Sequence, residues 1–220
     1  MDIVDAVESR RSIRAFRPDP VDPAIIRRVL ARAARAPSGG NIQPWHVEVV
    51  AGKPLASLKA AVAGRWINEE TPEYRVYPAG LPDAYQARRF LIGEAMYAAV
   101  GIAREDRPAR RQWFARNFQF FDAPLALFVH CPKIMGPPQW SDMGMFLQTV
   151  MLLLRDEELD SCAQECWASF PETVKHHLVI PESHILFCGM AIGYRDEHAP
   201  VNNFPVARAP LEEFVRFHGI

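Results

Sequence analysis

A mixed helix-and-strand fold around a central sheet is what this chain predicts, on three observations. The runs 124–131 (PLALFVHC) and 184–192 (HILFCGMAI) are almost wholly apolar, the pattern of strands covered on both faces. Elsewhere, apolar residues recur every three or four positions, which marks helices packed on one side. Helical and strand segments alternate along all 220 residues, with no internal repeat or low-complexity linker. A single domain over 1–220 is therefore expected.

The elements follow in order. Asp22 and Pro23 open a helix, an N-cap acid followed by proline at the first helical position. Ile25, Ile26, Val29, Leu30 and Ala33 repeat at helical spacing and face inward, while Arg27, Arg28, Arg32 and Arg35 make a solvated row. Pro37 stops this helix within the turn 36–45 (APSGGNIQPW). There Gly39 and Gly40 supply backbone angles that other residues adopt only at a cost, and Ser38, Asn41 and Gln43 add donors and acceptors. Pro44 leads into a strand at 46–50, Gly52 breaks it, and 54–63 reads as a short helix.

Across 66–82, Pro72, Pro78 and Pro82 alternate with Trp66, Tyr74 and Tyr77, which predicts an ordered aromatic loop able to act as a lid. Helices are expected at 84–103, 107–117 and 140–155, the last capped by Ser141 or Asp142 and leading into 160–165. From Tyr194 the tail 194–220 turns extended and amphipathic, with Pro200, Pro205 and Pro210 before Leu211, Phe214, Val215 and Phe217. Such a tail needs a surface to cover it, from a partner subunit or from its own chain.

Composition excludes several classes. With 49% hydrophobic and 23% charged residues and a formal net charge of -1, the chain lacks the basic balance of a nucleic-acid binder. Cys131, Cys162, Cys166 and Cys188 form no C-x-x-C pair and read as reduced thiols, and no histidine stands at zinc-ligand spacing beside Cys162 and Cys166. His176 and His177 are adjacent and cannot both face one ion from a helix, so no metal is expected. The opening MDIVD carries acids where a secretion signal carries bases, and the apolar stretch 143–154 is too short to span a bilayer. A cytoplasmic protein without membrane association is expected.

Chemistry concentrates in a few places. Arg10, Arg11, Ser12 and Arg14 (RRSIR) set three guanidinium groups around a serine, suited either to surface salt bridges or to phosphate. If that segment is extended, Arg10, Ser12 and Arg14 point to one side, as a phosphorylated ligand with a long polar arm requires. Trp66, Tyr74 and Phe120 could stack on an aromatic substrate or simply fill the core. The sequence has no G-x-G-x-x-G and no P-loop, so it shows no dedicated dinucleotide-binding unit.

Four blocks together, RRSIRAF, APSGGNIQPWH, CAQECW and GYRDEHAPVNNFPVARAPLEEF, resemble the nitroreductase family of FMN-dependent enzymes in order and spacing. The resemblance implies an α+β fold, a mainly antiparallel or mixed sheet flanked by helices, in an intertwined homodimer whose C-terminal extensions reach the partner. It also implies one FMN at each subunit interface. Arg10, Arg11, Ser12 and Arg14 match the first flavin segment, with Arg10 and Ser12 toward phosphate and ribityl and Arg14 near N1 and O2. Arg208 matches a late phosphate-binding arginine, though Asn203, Pro205 and Val206 stand where close relatives often add another base.

Pro37, Ser38, Gly39, Asn41 and Gln43 match the loop laid against the partner's flavin. Ala163, Gln164, Glu165 and Cys166 match the segment beside the ring, where a backbone N–H of Glu165 or Cys166 faces N5. The activity so implied is ping-pong hydride transfer from NAD(P)H through FMN to a small electron-poor acceptor, a nitroaromatic or quinone. Reductive dehalogenation or flavin fragmentation on the same fold, or flavin binding without catalysis, remain the alternatives.

Overall fold

In the computed structural model, which describes residues 1–67 and 69–219, four antiparallel strands form one sheet in the order β1-β2-β4-β3. They are β1 (His46–Ala51), β2 (Leu125–Pro132), β3 (Asp160–Gln164) and β4 (His184–Gly193). Strand β2 is buried along almost its whole length because both faces are covered. Ala126 and Phe128 enter one core and Leu125, Leu127, Val129 and Cys131 the other, the period-two alternation of a pleated strand.

Helices α1 (Ile3–Ser9), α2 (Pro23–Ala33), α3 (Gly52–Val62), α4 (Asp83–Ala99), α5 (Arg107–Ala115), α6 (Pro137–Asp156) and α7 (Pro171–Leu178) complete the fold. The α+β architecture is thus as the sequence implied. Leu55 and Leu58 of α3 and Val174 of α7 pack on one sheet face with Phe118, Phe120, Trp167 and Phe170. Ile26 and Val29 of α2 and Met143, Phe146 and Val150 of α6 pack on the other. At Gly189 of β4 an added Cβ would lie 2.5 Å from Trp167, so only glycine admits that indole against the sheet.

Several expectations change. Phe120 is fully buried and stacks on Trp167 at 4.7 Å, so it belongs to the core and not to a substrate surface. Helix α5 stops short of 117 and passes into a turn in which Phe120, Phe121 and Asp122 all take positive φ; burial of both phenylalanines offsets that local strain. Helix α4 ends at Ala99, not 103, and none of its residues is buried. The bounds of α1 and α7 were not anticipated, although His176 and His177 were read as helical. The tail holds only short helical turns at 200–202 and 211–213 and no strand among its described residues; Ile220 lies outside them.

Candidate functional site

The RRSIR segment builds one wall of a polar cleft. Helix α1 ends at Ser9, and Arg10 takes extended backbone at φ -64°, ψ 126°. The chain then crosses the outer edge of β3, where Ser12 pairs in parallel with Ser161 and Ile13 N–H donates to Ser161 O at 3.1 Å. Ile13 is fully buried and acts as the plug. Arg10, Ser12 and Arg14 consequently line one cavity, of about 250 Å³, together with Arg11, Asn202 and Arg208.

Charge in this cleft is mostly of one sign: Arg10, Arg11, Arg14 and Arg208 line it with one acid, Glu8. Burial first, and then the neighbouring Arg208 guanidinium, hold Arg10 below the ordinary arginine range. Arg208 donates to the carbonyls of Val206 and Ala207 at 3.3 and 3.1 Å, and among the described residues neither arginine has a carboxylate partner. Glu8 lines the cavity without pairing with either. Two guanidinium groups repelling each other beside a cavity fit a phosphate, which would relieve that repulsion and accept bidentate hydrogen bonds.

The turn after α2 is built differently. Gly40 has φ 57°, but the other left-handed positions are Asn41 and Gln43, at 58° and 51°, and not Gly39. An added Cβ on Gly39 would only touch Asp142 at 4.0 Å. Ser38 Oγ accepts from Gln43 N–H at 2.9 Å, and buried Asp142 accepts from Gly39 N–H at 3.2 Å. Asp142 therefore caps no helix: α6 begins five residues earlier, at Pro137, with Gln139 folding back to the Gly136 N–H. Pro37, Gly39, Asn41 and Gln43 are exposed, and none of residues 37–43 lines the arginine cavity of the same chain.

At the end of β3, Ala163 and Glu165 are exposed while Gln164 turns inward, donating to Asn117 O at 2.7 Å. Gln164 as a whole is buried, so this segment exposes Ala163 and the Glu165 side chain. Burial pushes the Cys162 and Cys166 thiols up, and in Cys162 the nearby Arg14 and Arg10 pull the other way. All four cysteines are free.

The aromatic loop 66–82, of which Asn68 lies outside the described residues, is bolted down through its first half. Glu70 accepts from the Glu172 and Thr173 N–H groups at 2.8 and 3.1 Å, capping α7, and pairs with Arg65 at 3.0 Å. Burial alone would raise the Glu73 carboxyl, but Lys175, the Leu186 amide and Lys133 hold it below the usual carboxylate range. Tyr74 donates to Phe187 O and stands near Glu165 and Cys166; burial pushes its phenol up. Residues 70–74 form a fixed wall, so a lid role is confined to the stretch beyond them.

Beyond the site, His46, His130 and His184 cluster at one end of the sheet, with His130 Nδ1 2.8 Å from His184 Nδ1. Burial, followed by His184, His46 and Lys175, lowers His130 to about 4. Among the described residues no group of three acids, histidines or cysteines is arranged to hold a metal, and no helix is long and apolar enough to cross a membrane. His176 and His177 are both exposed.

The sequence profile described as Nitroreductase family matches residues 7–194. The chain belongs to the nitroreductase family. It is a nitroreductase-type oxidoreductase, 34% identical over 213 residues to the 4-nitrobenzoate reductase of Pseudomonas putida, covering 97% of this chain and 94% of that one. Among solved structures, the FMN and NADPH-dependent nitroreductase NfnB from Sphigopyxis sp. strain HMH superposes with a TM-score of 0.97 at 49% identity, covering 100% of both chains. The FMN-dependent nitroreductase NfnB from Mycobacterium smegmatis, solved with NADPH, gives 0.91 at 34% identity and covers 99% of this chain and all of that one.

Sequence reasoning named Arg10, Arg11, Ser12, Arg14 and Arg208, which line this cavity, but not Asn202, which lines it too. This residue, 3% exposed, accepts from Arg14 N–H at 2.8 Å and donates to Ala15 O and Asp196 O at 2.8 and 2.9 Å. Arg11, expected among the flavin contacts, donates to the Asn202 carbonyl at 3.2 Å. The paired asparagines in VNNF, set between prolines, were the available signal.

Proposed function

We propose that this nitroreductase binds FMN in the arginine cleft and uses NAD(P)H to reduce nitroaromatic or quinone acceptors. The observation that carries the reading is the Arg10–Arg208 pair, two cations lining one cavity and, among the described residues, neither of them paired with an acid. Arg10, Ser12 and Arg208 would hold the phosphate end, and Arg14 would stand near N1 and O2, where a cation favours the negative charge of a reduced flavin. The main chain of Glu165 and Cys166 would donate beside N5. When bound, FMN supplies the two-electron chemistry.

A homodimer would complete the site. Strand β1 is an open sheet edge, α4 buries no residue, and Leu91, Phe214 and Phe217 are exposed. Surfaces of that kind suit a second copy. The exposed turn 37–43 would then serve the partner's cleft.

The sequence has no dinucleotide motif, so NAD(P)H and the acceptor would occupy the same open face in turn. For a nitro group, one NAD(P)H and one solvent proton give the nitroso product and water. Purified protein should be yellow, and anaerobic NADPH or NADH should bleach it. Reoxidation by nitrobenzoate or a quinone is the expected result. Failure to take up FMN after soaking would refute the reading, and reoxidation by a haloaromatic alone would move the reaction to dehalogenation.

A further inference from the structure

The cleft poses an electrostatic problem in the ligand-free chain. Arg10 and Arg208 come from opposite ends of the sequence and repel each other. Arg208 has only neighbouring carbonyls to hold it, and Arg10 has no hydrogen-bond partner through its side chain among the described residues. The Phe16–Arg195 bridge, with the Arg17 N–H on Tyr194 O at 2.9 Å and the Asp196 N–H on Ala15 O at 3.0 Å, joins the two segments at one end, and the stretch from there to Arg208 needs to be tied further.

Asn202 is placed to do this. Its backbone N–H closes a turn on Ala199 O at 3.0 Å, so it is fixed within the C-terminal segment that leads to Arg208. Two of its three side-chain bonds reach the other wall: the amide oxygen takes the Arg14 N–H, and the amide nitrogen donates to Ala15 O there and to Asp196 O in its own segment. The Arg11 guanidinium returns to the Asn202 carbonyl. Asn203 differs, donating only to Glu197 O and Ala199 O at 2.7 and 3.2 Å, within its own turn. One asparagine shapes the turn and the other fastens it to the flavin-binding segment.

We propose that Asn202 is a positioning residue that keeps the Arg10–Arg208 anion cleft assembled before cofactor arrives, offsetting the repulsion of the two cations with neutral hydrogen bonds. The inference rests on the reading of this cleft as the FMN phosphate site. Preorganisation of this kind strengthens binding because the bound geometry need not be assembled at the moment of association. Its benefit falls chiefly on the phosphate, because the segment that carries Arg14 is also pinned to β3 by the Ile13 N–H on Ser161 O, whereas Arg208 has no such anchor. Arg11 belongs to the same brace, acting through the Asn202 carbonyl.

The test compares FMN with riboflavin, which lacks the phosphate, on the apoprotein of the full chain. In the parent protein FMN should bind more tightly than riboflavin, and the preference should shrink with added salt. Asn202→Ala should cut the FMN-over-riboflavin preference about tenfold, the scale of one or two lost hydrogen bonds, while riboflavin affinity stays unchanged. Asn203→Ala should leave the preference intact. Should Asn202→Ala fail to fold, Asn202→Ser is the substitute, with near-ultraviolet circular dichroism confirming the apo fold. A folded Asn202 variant with an unaltered preference, or an equal loss for both flavins, overturns the proposal. Absence of any FMN preference in the parent protein would instead refute the phosphate assignment of the cleft.

Discussion

The arginine cleft and the turn at 37–43 were both singled out as ligand-holding, yet the folded protomer treats them differently. The cleft is assembled inside one chain: Ile13 plugs it, Asn202 fastens it, and Arg10, Arg14 and Arg208 converge on one cavity. The turn is shaped by Gly40, Asn41, Gln43 and a hydrogen bond to Asp142, but its polar groups face outward. A protomer therefore assembles the charged cavity by itself and leaves the polar groups of the turn facing outward. On the proposed reading, anion binding and dimer formation are separable properties, which experiments can pull apart.

The largest effect should come from removing both arginines. Arg10→Ala with Arg208→Ala should weaken FMN about a thousandfold, from two charge-assisted contacts of about 2 kcal/mol each, without changing riboflavin binding measured by fluorescence quenching. Equal losses for the two flavins would show that the cleft does more than hold phosphate.

Acid should act next, on the root of the turn. His130 is held near 4, well below the ordinary histidine value, so as pH falls below about 6.5 the unfolded chain takes up a proton before the folded one does. Stability should therefore be full above about 6.5, decline through the window down to about 4, and level off below it. The loss from this group is at most about 3 kcal/mol, readable by urea unfolding. His130→Gln should flatten that decline, whereas the arginine cleft keeps its charge throughout.

Asp142→Ala should be milder, costing about 1 kcal/mol in thermal or chemical unfolding through the lost Gly39 contact. Smallest of all in stability is Gln43→Ala, within about 0.5 kcal/mol, since the side chain is exposed. Its value lies in assembly. Mixed dimers of an Asn41→Ala/Gln43→Ala chain with an Arg208→Ala chain should regain flavin sites that neither parent dimer possesses. No recovery in the mixture would place the turn and the cleft in separate sites.

What the sequence revealed follows the same division between local and distant causes. Strands β1, β2 and β4 were legible to within about one residue, β2 and β4 because burial on both faces leaves a near-unbroken apolar run and β1 because Pro44 and Gly52 bracket it. Helix α7 was not, because its N-terminus is capped by Glu70, about a hundred residues earlier in the chain. Asp142 looked like a local cap for the same reason: the Gly39 N–H that it serves comes from another element. The arginine segment could be read from alternation alone, since Ile13 buried between Ser12 and Arg14 dictates their direction. The brace that fixes it could not, since its hydrogen bonds span 187 and 188 residues.

Strand β1 bears on the life of a newly made chain. Among the described residues its outer edge has no strand partner and lies beside exposed Val49, a template on which any extended peptide can pair. Glu48 sits in the middle of that edge, and a charge there disfavours wrong partners through burial of an unpaired carboxylate. Overexpression should therefore end in precipitate more readily when Glu48 is replaced by an apolar residue, with the soluble yield serving as a gauge of how well the charge guards that edge.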